Sequence, residues 1–180
     1  STNGQYISSK GIGYLLNDTL DKVACDNVGN IIIAGTSPWI GIDGRTIPTY
    51  GSAIFVMKLA PDMSFSWVNI STNHHFLISP IHSMFVDNQN SVYIATPMRS
   101  NAWFNGVYVG NNQIAYCLAK INSQGQTIWA TDLYEPTQFE TLNPFCATMG
   151  PSSTIYVSYP YENSITLAGR SFLTEGYTDI

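Results

Sequence analysis

Three histidines, His74, His75 and His82, lie in the linker segment NHHFLISPIHS. Imidazole nitrogens are common zinc ligands. This spacing matches no known ligand pattern, however, and no cysteine or carboxylate lies beside the histidines. We therefore predict no metal site and no cofactor, and we keep the three histidines as candidate binding residues.

Three carboxylates, Asp132, Glu135 and Glu140, cluster in the segment TDLYEPTQFE. Paired carboxylates catalyse glycoside hydrolysis, so this is where an enzyme would place its acids. We favour a solvated loop between two structural units. The chain contains no G-x-S-x-G, no H-E-x-x-H and no glycine-rich phosphate loop, and we predict no catalytic residue.

Many of the remaining distinctive residues recur along the chain at a nearly constant interval. The separation is 62 residues for Lys58–Lys120, Trp67–Trp129 and Gly44–Gly106, and 63 for Gly106–Gly169. Residues that recur at this period serve the fold, whereas a site particular to this protein would use residues that do not recur. We therefore interpret Trp67 and Trp129 as packing residues of a repeated unit.

The recurring charged residues have structural interpretations as well. Asp26 and Asp87 stand at equivalent turns, where an aspartate side chain accepts hydrogen bonds from nearby backbone N–H groups. No alternating acidic loop follows either of them, which argues against calcium binding. Lys58 and Lys120 lie inside strand-like runs, where we expect buried aliphatic stems or a repeated ion pair rather than catalytic amines.

Two aromatic residues fall outside the period. Trp39 and Trp103 lie near the inserted hairpins but are not equivalent to each other. Exposed aromatic side chains there would stack on sugar rings or anchor a protein partner, and the alternative is that they cover the outer edge of the unit. We take both tryptophans as binding candidates.

The repeated pattern predicts an all-β fold. Short β-branched and aromatic runs at 31–37, 92–98 and 155–161 are typical of strands. Asp43-Gly44 and Asn105-Gly106 are typical of two-residue hairpin turns with positive φ. No stretch longer than about ten residues has helical periodicity, so we expect almost no helix.

The motifs DNVGNIIIAG (26–35) and CLAKINSQGQTIWA (117–130) resemble the SBBP-type β-propeller repeat. This resemblance implies blades, which are four-stranded antiparallel sheets. The units would span 22–82, 83–144 and 145–180, with 1–14 as the last strand of a preceding blade. Three blades are too few for a ring. We therefore expect a partial propeller or a segment of a longer array, or two chains that complete a six-bladed ring.

Composition limits the kinds of partner. The net charge is −5, and the seven Lys and Arg residues are scattered, which argues against nucleic acid. The chain has no run of about 18 apolar residues, so we predict no membrane-spanning helix. Charged residues make up only 11% of the chain, a composition typical of extracellular, surface or virion proteins.

Asn17 and Asn69 begin glycosylation sequons, and the three cysteines look like small buried apolar residues.

These observations favour a non-enzymatic scaffold that presents loops to a protein or glycan partner, or a structural component of a surface or virion assembly. We also expect further propeller blades as partners, because a blade buries both of its faces only between neighbours. The alternative is a fragment of a carbohydrate-active hydrolase or lyase, whose acids would converge at the propeller centre.

Overall fold

The structure, a computed structural model, describes residues 3–13, 18–72, 80–99, 102–109, 114–134, 146–158, 164–167 and 170–173. These residues form an all-β fold of antiparallel sheets. Within them the only helical segment is a single 3-10 turn at Pro151–Ser153. The expectation of an all-β chain nearly without helix is thus confirmed.

The strands follow the four-part pattern of the sequence. They are β1 Thr19–Cys25, β2 Ile31–Ile42, β3 Arg45–Leu59, β4 Phe65–Thr72, β5 Ser83–Val86, β6 Val92–Arg99, β7 Ala102–Phe104, β8 Val107–Val109, β9 Ile114–Ile121, β10 Thr127–Tyr134, β11 Cys146–Met149, β12 Ile155–Ser158, β13 Ser164–Leu167 and β14 Arg170–Leu173.

The first two units have the same strand order. In the first, β1, β2, β3 and β4 are neighbours in that order; in the second, the order is β5, β6, β9 and β10. Each is a meander of four antiparallel strands. In the third unit the structure describes two separate pairs, β11 with β12 and β13 with β14.

The inserted hairpins of the first two units take different places. In the first unit the insert is the tip of the long β2–β3 hairpin, with Ile42 opposite Arg45. In the second it is the separate β7–β8 hairpin, which leaves its own sheet and pairs with β4 of the first unit through Ser71–Phe104 and Thr72–Trp103. The first sheet therefore has six strands, and the two units share backbone pairing.

Both insert turns have the predicted left-handed conformation. Asp43 and Gly44 have φ of 51° and 72°, and Asn105 and Gly106 have φ of 41° and 90°. Aspartate, asparagine and glycine tolerate these angles, which match the twist of the paired strands. The third predicted turn, at Gly169, lies outside the described residues.

The two sheets pack face to face through one apolar core. Its members come from β2 and β3 on one side and from β6 and β9 on the other, with the β7–β8 hairpin closing one end. A second apolar cluster joins the opposite face of the second sheet to β11 and β12. A third lies on the outer face of the first sheet, where Ile12 packs against it. The core thus runs between successive units, as stacked repeats require.

The interpretation of the cysteines is right for one of the three. Cys117 is buried in β9, and burial together with the nearby Asp132 charge raises the pKa of its thiol. Cys25 and Cys146 are free and exposed. They lie on β1 and β11, each of which pairs with one neighbouring strand in the described structure, so their outward side chains remain open to solvent.

Candidate functional site

The turn aspartates organise the first turn of each of the two complete units. Asp26 Oδ1 accepts from the N–H groups of Val28 and Asn30 at 3.1 and 2.9 Å, and Oδ2 lies 2.8 Å from Lys58 Nζ. Asp87 Oδ1 accepts from Gln89 and Ser91 at 2.8 Å each, and Oδ2 lies 3.2 Å from Lys120 Nζ. The predicted turn bonding and repeated ion pair are both present.

Charge and hydrogen bonding stabilise these carboxylates in their ionised form. Burial alone would raise the pKa of Asp26, but the Lys58 ammonium and the donors of Asn30 and Val28 outweigh it and lower the pKa from 3.8 to about 2. The same balance holds the pKa of Asp87 below its ordinary value. Both carboxylates and both lysines have structural partners, so the geometry assigns them to the fold.

Trp67 makes a contact between the two units. Its indole Nε1 donates to the Ser123 carbonyl oxygen at 3.0 Å, in the β9–β10 turn of the second unit. Its ring lies over Gly125, where an added Cβ would meet ring atoms at 2.7 Å. Two residues later, Asn69 Nδ2 donates to the Gly125 carbonyl oxygen at 2.9 Å and to Thr127 Oγ1 at 3.0 Å. The packing interpretation of Trp67 is therefore supported, and Asn69 is too buried to be an accessible glycosylation site.

Of the three histidines, the structure describes His82 alone. His74 and His75 lie outside the described residues. His82 is partly buried with its ring centroid 6.4 Å from that of Tyr116, and burial, with the nearby Lys22 charge, lowers its pKa. Among the residues that the structure describes, no group of three or more His, Cys, Asp or Glu side chains could hold a metal ion.

Of the three candidate acids, the structure describes Asp132 alone. Asp132 lies in β10 opposite Cys117, while Glu135 and Glu140 fall outside the described residues. An open groove of about 530 Å³ lies elsewhere, beside Lys10, Asp43 and Asp62. Lys10 spans this groove, with Nζ 2.6 Å from Asp43 Oδ1, so its walls are joined by an ion pair.

The inserted β7–β8 hairpin carries an exposed aromatic pair. Trp103 and Tyr108 stand opposite each other across the hairpin, with ring centroids 5.1 Å apart and an edge-on angle of 61°. They are 40% and 45% exposed. The neighbouring Phe104 is fully buried and pairs with Ser71 of β4, which anchors the hairpin. Trp103 and Tyr108 therefore form a solvent-facing aromatic surface on a hairpin that is anchored to the first sheet.

Trp39 is similarly exposed, at 42%, but does not join this pair. Ile40 and Ile42 belong to the apolar cluster on the outer face of the first sheet, so strand alternation directs Trp39 to the inner face. Ala102 and Phe104 belong to the core on the inner face, so Trp103 points outward. The two predicted binding tryptophans therefore lie on opposite faces of one sheet.

Tyr108 was not among the residues predicted for binding. The signal for it was present in the sequence, because a two-residue Asn105-Gly106 turn pairs Phe104 with Val107 and Trp103 with Tyr108. Counting outward from the turn would have placed both rings on the same face of the hairpin.

Comparison of the chain with protein-family models, with curated proteins and with solved structures gives no match. The resemblance to the SBBP-type repeat consequently stays a prediction. Within the described part of the chain, the structure has no helix of the length and apolarity needed to cross a membrane.

Proposed function

We propose that this chain is a non-enzymatic module built from β-propeller blades, which presents exposed side chains to a protein or glycan partner. The proposal of blades draws on the meander of four antiparallel strands in each complete unit and on the apolar core between the two units. It draws further on the recurrence of the same aspartate–lysine pair in both. The chain's low content of charged residues favours an extracellular, surface or virion setting.

The observation that carries the binding role is the Trp103–Tyr108 pair. Two adjacent, half-exposed rings offer an apolar face with polar edges, which is suited to a sugar ring or to an apolar protein side chain. The buried Phe104 and the pairing with β4 hold the rings in place before a partner arrives, so little conformational entropy is lost on binding. We place the recognition surface here.

The experiment is a glycan-array screen of the 180-residue chain, followed by titration of each positive oligosaccharide by tryptophan fluorescence. Trp103→Ala and Tyr108→Ala are each expected to weaken binding at least about tenfold, in line with the loss of an aromatic anchor. Trp39→Ala is the matched control, because Trp39 is equally exposed but lies on the other face; it should bind like the wild type.

Three outcomes are informative. Glycan binding that is lost in the Trp103 and Tyr108 variants supports the glycan form of the proposal. Glycan binding that is unchanged in both variants contradicts the site. A chain that binds no glycan on the array rejects the glycan form and leaves the protein form, which is tested by whether those two substitutions abolish a measured protein interaction.

The hydrolase or lyase alternative has weaker support. It requires several carboxylates in one polar pocket, and among the described acids Asp26 and Asp87 are paired with lysines at turns, while Asp132 lies within a strand. No observation on the described residues favours catalysis over recognition.

A further inference from the structure

A tryptophan fills the junction between the first and second units. Trp67 of β4 lies with its ring over Gly125 in the β9–β10 turn, and its indole N–H donates to the Ser123 carbonyl oxygen at 3.0 Å. Gly125 leaves room for this ring, because a Cβ there would lie 2.7 Å from it. One large side chain thus occupies the place where a last strand crosses the turn of the next unit.

The N-terminal segment crosses the first unit at the equivalent place. Thr72 of β4 pairs with the insert of the second unit, and Gly13 N–H donates to the Gly41 carbonyl oxygen in the insert of the first at 3.0 Å. Gly13 precedes Thr72 by 59 residues, and the same interval places Ser8 at the position of Trp67. The first junction therefore has a small hydroxyl side chain where the second has an indole ring.

An open groove of about 530 Å³ lies beside Ser8, in the place that corresponds to the ring. Its walls are residues 8–11, Asp43 in the insert turn, and residues 61–63 in the β3–β4 turn. Met63 Sδ lies 3.6 Å from Ser8 Oγ, so the methionine side chain occupies part of the space. The remaining volume is within the range of about 300 to 1,000 Å³ that is typical of small-molecule sites.

The groove offers both hydrogen-bond donors and acceptors. Lys10 Nζ lies 2.6 Å from Asp43 Oδ1 and donates to the Met63 carbonyl oxygen, and an ammonium group has a further N–H for a ligand. Asp62 Oδ1 accepts from the N–H and Oγ of Ser64 at 2.9 and 2.7 Å, which leaves its Oδ2 as an acceptor. The donors Lys10 and Ser64 hold the pKa values of Asp43 and Asp62 below the ordinary value, so both carboxylates are ionised at neutral pH.

The charges around the groove balance. Lys10 and Arg45 are positive, and Asp43 and Asp62 are negative. A site with donors, acceptors and little net charge favours a neutral ligand that has many hydroxyl groups over an ion, because each hydroxyl group both donates and accepts. Adjacent hydroxyl groups of a sugar would donate to a carboxylate and accept from the lysine.

An exposed aromatic ring stands beside the groove. Tyr6 is 78% exposed, and its hydroxyl oxygen lies 3.0 Å from Oγ of Ser9, which is one of the wall residues. An aromatic ring can pack against the C–H face of a sugar ring while polar groups hold the sugar hydroxyl groups. Tyr6 thus adds an apolar surface to the polar walls.

We propose that this groove binds a neutral monosaccharide unit of a glycan through Lys10, Asp43 and Asp62, with Tyr6 at its edge. The proposal extends the glycan form of the proposed function to a second site. This site shares no residue with the Trp103–Tyr108 pair, so each of the two can fail without the other.

The test is a titration of nitrogen-labelled protein with glucose, galactose, mannose and N-acetylglucosamine in turn, followed by nuclear magnetic resonance of the amide and indole signals. We expect at least one of these sugars to shift the amide signals of Ser8, Gly11 and Met63. The indole signal of Trp103 reports the other proposed site separately in the same spectra.

Asp62→Asn should raise the dissociation constant of that sugar at least about fivefold, because a neutral amide replaces a charged acceptor. The amide oxygen still accepts from Ser64, so the turn should keep its fold, which circular dichroism and the melting temperature would check. Gln124→Ala is the matched control: Gln124 is exposed and lies 62 residues after Asp62, at the equivalent turn of the second unit, and this variant should bind like the wild type.

Two results would overturn the proposal. One is a titration in which none of these sugars shifts the groove signals, whether or not the Trp103 indole responds. The other is binding at the groove that Asp62→Asn leaves as strong as in the wild type and in Gln124→Ala.

Discussion

Substituting Gly125 by alanine tests how the units are joined. A Cβ at this position would lie 2.7 to 2.9 Å from three atoms of the Trp67 ring, and a rigid ring inserted between two sheets has little room to move. Gly125 also has φ of +85°, which costs a residue with a Cβ about 1 to 2 kcal/mol. Overpacking of this kind adds about 1 to 3 kcal/mol. We expect a total destabilisation of about 2 to 5 kcal/mol.

Gly106→Ala separates the two contributions. Gly106 has φ of +90°, but a Cβ there meets nothing within 4 Å, so this variant carries the backbone cost alone. Urea unfolding followed by circular dichroism should show Gly125→Ala to be less stable than Gly106→Ala by about 2 kcal/mol. Adding Trp67→Leu should remove most of that difference, as a coupling in a double-mutant cycle. Equal free energies of unfolding for the two glycine variants, or no coupling to Trp67, would refute the proposed packing.

Three further predictions concern stability. The pKa of Asp26 in the folded protein is about 2, below its ordinary value of 3.8, so its contribution of about 2 kcal/mol to the free energy of unfolding is present above pH 4 and is lost as the pH falls towards 2. Asp26→Asn should therefore flatten this part of the curve of stability against pH, as measured by urea unfolding. An unchanged slope would contradict the ion pair. Lys58→Met removes the lysine partner of the fully buried Asp26 carboxylate and should lower the free energy of unfolding in urea by about 3 kcal/mol. Lys120→Met should cost less, because the Lys120 side chain is 20% exposed whereas that of Lys58 is 9% exposed. The reverse order would contradict the burial argument. Gly35→Ala should cost about 3 kcal/mol and lower the melting temperature by about 6 to 12 °C, because its Cβ would lie 1.9 Å from the Thr19 carbonyl oxygen. A wild-type melting temperature would show that β1 does not approach β2 so closely.

The sequence predicts the repeated unit well because its determinants are local. Asp26 and Asp87 act on backbone groups two and four residues away, and the Asp43-Gly44 and Asn105-Gly106 turns need only their own φ angles. The lysine partners could be anticipated because Lys58 and Lys120 recur after 62 residues, nearly the interval of 61 that separates Asp26 from Asp87. These features can be predicted from the sequence without knowledge of the tertiary contacts.

The arrangement of the candidate site is harder to predict because it depends on nonlocal pairing. A register shift between Ser37 and Trp39 reverses the faces of the residues that follow, so Trp39 and Trp103 end on opposite sides of the sheet. The β7–β8 hairpin pairs with β4 of the first unit rather than extending its own sheet, whereas the equivalent insert at Asp43 does extend its own. Nothing in the two insert sequences separates these outcomes, since both have the same type of turn.

The central claim is that successive units dock through a tryptophan that lies over a left-handed turn. Hydrogen exchange of the four indole N–H groups tests this claim most directly. The exchange would be measured by nuclear magnetic resonance on nitrogen-labelled protein. Trp67 Nε1–H, bonded to Ser123 between two units, should exchange far more slowly than the indoles of the exposed Trp39 and Trp103. Gly125→Ala should remove this protection. A Trp67 indole that exchanges as fast as those two exposed tryptophans would contradict the docking of the units.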